Sequence, residues 1–229
     1  MPELTFQIQG VEPALASVTP QLNLKIRIKS GDSQPRIQNI FLQCQIQIEP
    51  ARRHYEPAEQ EDLRDLFGEP ERWGKTLRPM LWTNTSCIVP SFTGETVAEV
   101  PVPCTFDFTV ATTKYFHGLK NGEIPICALF SGTVFYATQE AEWQVERIPW
   151  NCEANYRVPV RTWKEMMDRH YPNTAWLCLR RDVFDQLHQF KMSRGIPTWE
   201  QAFESMLSIA EESGHFGSVG RSPVLKTGT

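Results

Sequence analysis

Arg52-Arg53-His54 and Arg180-Arg181 are the two places where cations crowd together along the chain. A guanidinium presents a planar fork of donors that matches a carboxylate or phosphate edge, so either doublet can grip an acidic partner. The opposing reading is a solvated turn, or neutralisation by the acidic run from Glu56 to Glu71. Asp168-Arg-His170 is the nearest approach to a catalytic pair, with a carboxylate to orient an imidazole. Residues two apart on a helix point to different faces, however, so this segment reads as a helix end with His170 near the C-terminal dipole. His54, His117, His170, His188 and His215 are scattered, and none stands at ligand spacing from a cysteine. A metal site needs several such ligands converging, so the sequence predicts no metal and no cofactor, with a long-range Cys/His site left open. No Gly-x-Gly-x-x-Gly, phosphate loop, His-Glu-x-x-His or Gly-x-Ser-x-Gly occurs, which removes the direct arguments for an enzyme. The seven tryptophans are the most unusual feature of the composition. Tryptophan is enriched in cores and at protein interfaces alike, so most are expected inside and one or two on a docking surface. Arg52, Arg53, Trp73 and Trp82 are the candidate partner-binding residues.

The elements that must position these groups change character along the chain. Leu22 to Lys29 and Ile40 to Ile48 alternate apolar with polar or cationic residues, the period of a half-buried strand, and are expected to pair as a hairpin. Thr5 to Gln9 reads as a further strand. Pro57 followed by Glu59, Glu61 and Asp62 suits a helix start, and Gly68 a helix stop. A looped, aromatic stretch with Trp73 and Trp82 follows and is expected to pack on the sheet. Strand signals return at Cys87–Val89, Val97–Val102, Cys104–Val110, Ile124–Tyr136 and Trp143–Ile148. Lys114 to Leu119 fits helix or strand. The last part shifts to helical spacing: Trp163, Met166 and Met167 after a cap at Thr162, then Val183, Leu187 and Phe190, then Trp199, Ala202, Phe203, Met206 and Leu207 after a cap at Thr198. The expectation is therefore a mainly β chain with some α, an antiparallel β-sandwich-like body followed by short C-terminal amphipathic helices. The body takes residues 1–158 with a helix-loop insertion near 57–82. A helical region, 159–212, packs on it, and 213–229 form a disordered tail.

Composition bounds the function. With 23 Lys and Arg against 27 Asp and Glu, the chain carries a formal charge of −4. A general nucleic-acid binder needs a cationic surplus to displace counterions, so that class is set aside. The N-terminus has no basic start or long apolar run, and no stretch approaches the roughly 18 apolar residues of a membrane helix, so a cytoplasmic protein without a membrane partner is expected. Six cysteines without a Cys-x-x-Cys pair read as reduced structural thiols.

Four segments carry a likeness: Ile48-Glu-Pro-Ala-Arg-Arg-His-Tyr55, Leu66-Phe-Gly-Glu-Pro-Glu-Arg-Trp73, Phe130-Ser-Gly-Thr-Val-Phe-Tyr136 and Pro159-Val-Arg-Thr-Trp163. In these the chain resembles, over about residues 5 to 207, a bacterial family of unassigned function often encoded beside nickel-iron hydrogenase genes. The resemblance implies an accessory or maturation role, with a hydrogenase subunit or a maturation factor as protein partner. It supplies no catalytic residues. The reading is a non-enzymatic binding or assembly factor, against an enzyme without a recognised motif or a structural subunit of a larger complex. Oligomeric state is left open.

Overall fold

A computed structural model describes residues 3–31, 36–105, 110–137, 142–174, 177 and 179–213. Most of the expected strand Cys104–Val110, with Trp176, Cys178 and the tail from residue 214, lies outside these residues. The chain forms two compact units, Met1–Thr174 and Ala175–Thr229.

The first unit is built on two antiparallel sheets. The smaller has the order β1-β2-β5, from Leu4–Pro13, Gln21–Ser30 and Glu95–Pro103. The larger runs β4-β3-β6-β7, from Met80–Val89, Ile37–Ile48, Glu123–Ala137 and Trp143–Arg147, with β8 (Glu153–Pro159) also paired to β6. Leu22, Leu24, Ile26 and Ile28 on β2 and Ile40, Leu42, Ile46 and Ile48 on β3 are completely buried and belong to one apolar cluster. Phe6 stacks on Phe130 across the two sheets at 4.5 Å. The fold is thus a mainly β sandwich with helices.

β2 and β3 do not form the expected hairpin. β2 pairs with β1 and β5, and β3 with β4 and β6, so each is central in its own sheet. An alternating strand announces one buried face and says nothing of which neighbour shares its hydrogen bonds. Here the two buried faces belong to opposite sheets. Two further expectations are corrected, and one segment left open takes a definite form. β4 starts at Met80, so Trp82 lies in a strand and not in a loop. β8 precedes the first C-terminal helix, α4 (Val160–His170), whose N-cap is Pro159 and not Thr162. The ambiguous segment at Lys114–Leu119 belongs largely to a helix, α3 (Val110–Gly118).

α1 (Pro57–Phe67) follows its sequence signals closely. A reciprocal capping box joins Glu56 and Glu59, Pro57 occupies the first turn, and Gly68 at φ 74 closes the helix. A one-turn helix, α2 (Trp73–Thr76), then leads into β4. Gly132 has a separate role inside β6. A Cβ there would lie 2.0 Å from the carbonyl oxygen of Phe41, so only glycine lets β3 approach this closely.

The second unit holds a pair of helices, α5 (Arg181–Ser193) and α6 (Trp199–Glu212). Thr198 caps α6 by accepting from the Gln201 N–H at 3.2 Å. Phe184 and His188 meet Trp199, and Trp199 meets Phe203, so the aromatic residues of the two helices lie together. Among the described residues no helix is long and apolar enough to cross a membrane.

Candidate functional site

The larger sheet has two unlike ends, and the candidate residues divide between them. β3 runs toward Ile48, where the Arg-Arg doublet follows, and β6 starts beside it at Glu123. Arg53 is buried there: its side chain keeps 7% of its surface exposed, and its ion-pair partner Glu59 keeps 2%. The guanidinium donates to Glu59 Oε1 at 2.7 Å, to the Asn121 carbonyl at 2.6 Å and to the Glu123 carbonyl at 2.9 Å. Its plane lies near the Tyr55 ring, 5.6 Å from the centroid. Nε alone has no hydrogen-bond partner among the described residues. Glu59 also accepts the backbone N–H of Lys120 at 2.7 Å and of Glu56 at 3.2 Å. Burial works to raise the Glu59 carboxyl, but these backbone donors and Arg53 outweigh it and hold the group below the usual glutamate range.

The same end holds a hydroxyl pair. Tyr55 donates to the Pro50 carbonyl at 2.8 Å, which uses its one proton, so Tyr115 must donate to Tyr55 across their 2.9 Å contact. Burial pushes the Tyr115 hydroxyl up to about 12, and Tyr55 is raised further for the same reason. Trp73 packs edge-on against Tyr55 at 5.2 Å and donates Nε1–H to the Gly68 carbonyl. These groups tie the segment after β3, α1 and the turn before β6 into one block. Apart from Arg53 Nε, their hydrogen bonds are made largely to each other.

Of the sequence candidates, Trp73 and Trp82 are therefore core residues and the Arg53 side chain is buried. Trp82 is packed against Phe116 at 5.0 Å, and Phe116 stacks on Trp163 at 4.9 Å. Arg52 alone is exposed, donating to Glu49 Oε2 at 2.7 Å and Asn155 Oδ1 at 3.3 Å on the sheet's outer face. The opposing reading of the doublet, pairing with the acidic run, describes Arg53. Arg180 bonds Asp182 in solvent. The His170 ring meets the carbonyls of Met166 and Ser17. Cys44, Cys87, Cys104, Cys127 and Cys152 are free thiols, and burial pushes Cys44 and Cys104 up to about 12. No group of three or more His, Cys, Asp or Glu converges as a metal site among the described residues.

The opposite end of the same sheet is built the other way round. The outer face of β3 and its neighbours is polar in its middle, with Gln43, Gln45, Asn84, Ser86 and Ser131. Toward the start of β3 it becomes apolar. Ile88 stands opposite Phe41, and Phe41 opposite Thr133. Phe135, two residues on, is diagonal to Phe41 and directly opposite Val145, with Trp143 next on β7. Direct and diagonal cross-strand neighbours are within side-chain contact range, so these five form a continuous strip. Phe41, Ile88, Trp143 and Val145 are 43, 71, 66 and 57% exposed. Sequence reasoning missed this strip because Phe41 occupies the phase expected to be polar on β3 and the other residues come from separate strands. The signal was present in Phe41, which shares that phase with Gln43, Gln45 and Gln47, and in the Trp143-Gln-Val145 alternation.

Comparison with known proteins adds the family and little chemistry. The model of a family of unknown function, DUF6084, matches residues 1–215. A search of the curated proteins finds no match. Among solved structures, the chain is similar to the CARDB domain of a Pyrococcus furiosus protein in complex with di-metal ions. The identity is 15%, the match covers 69% of this chain and 92% of that one, and the TM-score is 0.26.

Proposed function

The chain belongs to the DUF6084 family of unknown function, and we propose that it is a non-enzymatic binding or assembly factor that docks a protein client on the outer face of its larger sheet. The observation that carries this reading is the apolar strip Ile88, Phe41, Phe135, Val145 and Trp143, contiguous across β4, β3, β6 and β7, with Phe135 half-buried and the other four exposed to solvent. Scattered exposed apolar residues are ordinary on protein surfaces, whereas a contiguous patch rimmed by polar groups marks an interaction surface. The amide- and hydroxyl-rich middle of the face supplies such a rim. Trp143 is the kind of large, amphipathic side chain that dominates interface energetics. The resemblance seen in the sequence makes a nickel-iron hydrogenase subunit or one of its maturation factors the client to test first.

The test is affinity capture from the source organism with wild type and with the Phe41→Ser/Ile88→Ser variant as bait, read by mass spectrometry. The proposal expects one polypeptide enriched by wild type and lost with the variant. Equal capture by both baits would remove the strip from the account.

A further inference from the structure

We propose that two copies of this chain join edge to edge through β7, antiparallel and centred on Val145, fusing their larger sheets into one. The reading deepens the client-binding proposal, because it doubles the face that the client would meet.

β7 is the terminal strand of its sheet path, so among the described residues one of its edges pairs with no strand. The phase of its backbone follows from a single bond. The Ile148 N–H donates to the Gly132 carbonyl at 3.0 Å, which makes Ile148 and Gly132 a hydrogen-bonded antiparallel pair. Alternation along the strand then turns the backbone groups of Glu146 and Gln144 toward β6, and those of Arg147, Val145 and Trp143 outward. An antiparallel copy centred on Val145 brings outward groups against outward groups at every step. Val145 faces the second copy's Val145, and Trp143 and Arg147 exchange backbone bonds with the second copy's Arg147 and Trp143.

The side chains select the same register. On the outer face Trp143 meets an arginine from the other copy, a cation–π pair. On the other face Gln144 stands opposite Glu146, whose carboxylate already accepts from Tyr136 of its own copy at 2.8 Å, so this pair is tolerated and the Trp143–Arg147 pair is the attractive one. Moving the centre to Glu146 sets two Glu146 side chains opposite each other and brings Pro149, which has no N–H, against Trp143. Moving it to Gln144 sets Glu146 opposite Glu142. Moving it to Arg147 sets the two arginines opposite each other. Like charges directly opposed across strands are destabilising, so the Val145 register is the one that is self-complementary.

Natural sheet edges are guarded by proline, lysine or bulges. Two other edges carry such guards: β5 contains Pro101 and Pro103, and β1 has Pro13 and a register shift between Ile8 and Gly10. Trp-Gln-Val-Glu-Arg has no proline, glycine or lysine and keeps an unbroken register with β6. In the paired assembly the apolar strip of one copy continues through Val145 into that of the other.

Sedimentation velocity of the purified full chain across a range of concentrations, with no client present, tests the pairing. A monomer–dimer equilibrium is expected. Val145→Pro removes an outward N–H without touching the bonds to β6, and should weaken the dimer at least about tenfold while the monomer still unfolds cooperatively. Trp143→Arg should weaken it likewise by opposing two arginines, and adding Arg147→Glu should restore it by creating cross-copy Arg–Glu pairs. If Val145→Pro fails to fold, the charge reversal alone decides. A wild type that stays monomeric, or a dimer indifferent to these changes, overturns the pairing. Neither result depends on a client, so capture by the sheet face is judged separately.

Discussion

The two ends of the larger sheet invert each other's chemistry. Beyond Ile48, charged and hydroxyl groups are buried and matched donor to acceptor: Arg53 with Glu59 and two carbonyls, Tyr115 with Tyr55, Tyr55 with Pro50. At the start of β3, large apolar groups stand in water. A buried polar cluster is costly to break because each survivor is left desolvated and unpaired. An exposed apolar strip is cheap to change because the chain gains little from it. The first arrangement serves the fold, and the second is the surface on which the proposed client would dock. Of the four segments that carry the family likeness, the first two supply Arg53, Tyr55 and Trp73 to the first end, and the third contains Phe135 of the strip.

The largest effect should come from splitting the buried ion pair. Arg53→Ala or Glu59→Ala leaves an uncompensated buried charge, and denaturant melts should show a loss of about 3–5 kcal/mol. Arg53→Lys should recover only part of this, since a single ammonium cannot reproduce the fork that reaches Glu59 and two carbonyls. Replacing both partners by apolar residues of like size, Arg53→Met with Glu59→Leu, should cost much less than either alanine change. If the single alanine variants melt like wild type, the block is not what holds this end.

Acid provides a gentler way to break the same end. The Glu59 carboxyl is held below its ordinary value, so its folded state binds the proton less readily than the unfolded chain. Its contribution is complete above the unfolded value of about 4.3 and is lost as pH falls through the lowered folded value. Wild type should therefore lose stability across that acid window more steeply than Glu59→Gln. Parallel pH profiles would contradict the assignment.

The smallest effect on stability belongs to the other end. Ile88→Ser should change the melting free energy by less than about 1 kcal/mol, because the side chain is mostly in water already. A loss comparable to that of Arg53→Ala would mean that the strip belongs to the core, and the contrast between the ends would disappear.

Much of the fold was legible in the sequence, and the reasons differ by element. Period-two alternation located β2 and β3, strand signals and an apolar run located β5 and β6, and the Pro57 start, Gly68 stop and Thr198 cap located helix ends, because those signals act within a few residues. Strand partnership was not legible, since β2 and β3 show the same pattern whether they share a sheet or face each other across a core. Trp82 was read as loop because Pro79 and its neighbours disguise the start of β4, whose next residues, Thr83 to Ser86, are polar on both faces. Of the candidate site, Arg53 was read with both its possible fates, and only the fold decided between them. The strip was hidden because it is assembled from four strands, each contributing one or two residues.

The account rests on the strip being a binding surface separable from the fold. The direct test is calorimetric titration of the captured client, purified, into wild type and into Phe41→Ser/Ile88→Ser. The strip account predicts an affinity at least about tenfold weaker for a variant that still unfolds cooperatively, a difference of about 1.4 kcal/mol or more. Unchanged affinity in that folded variant would contradict it.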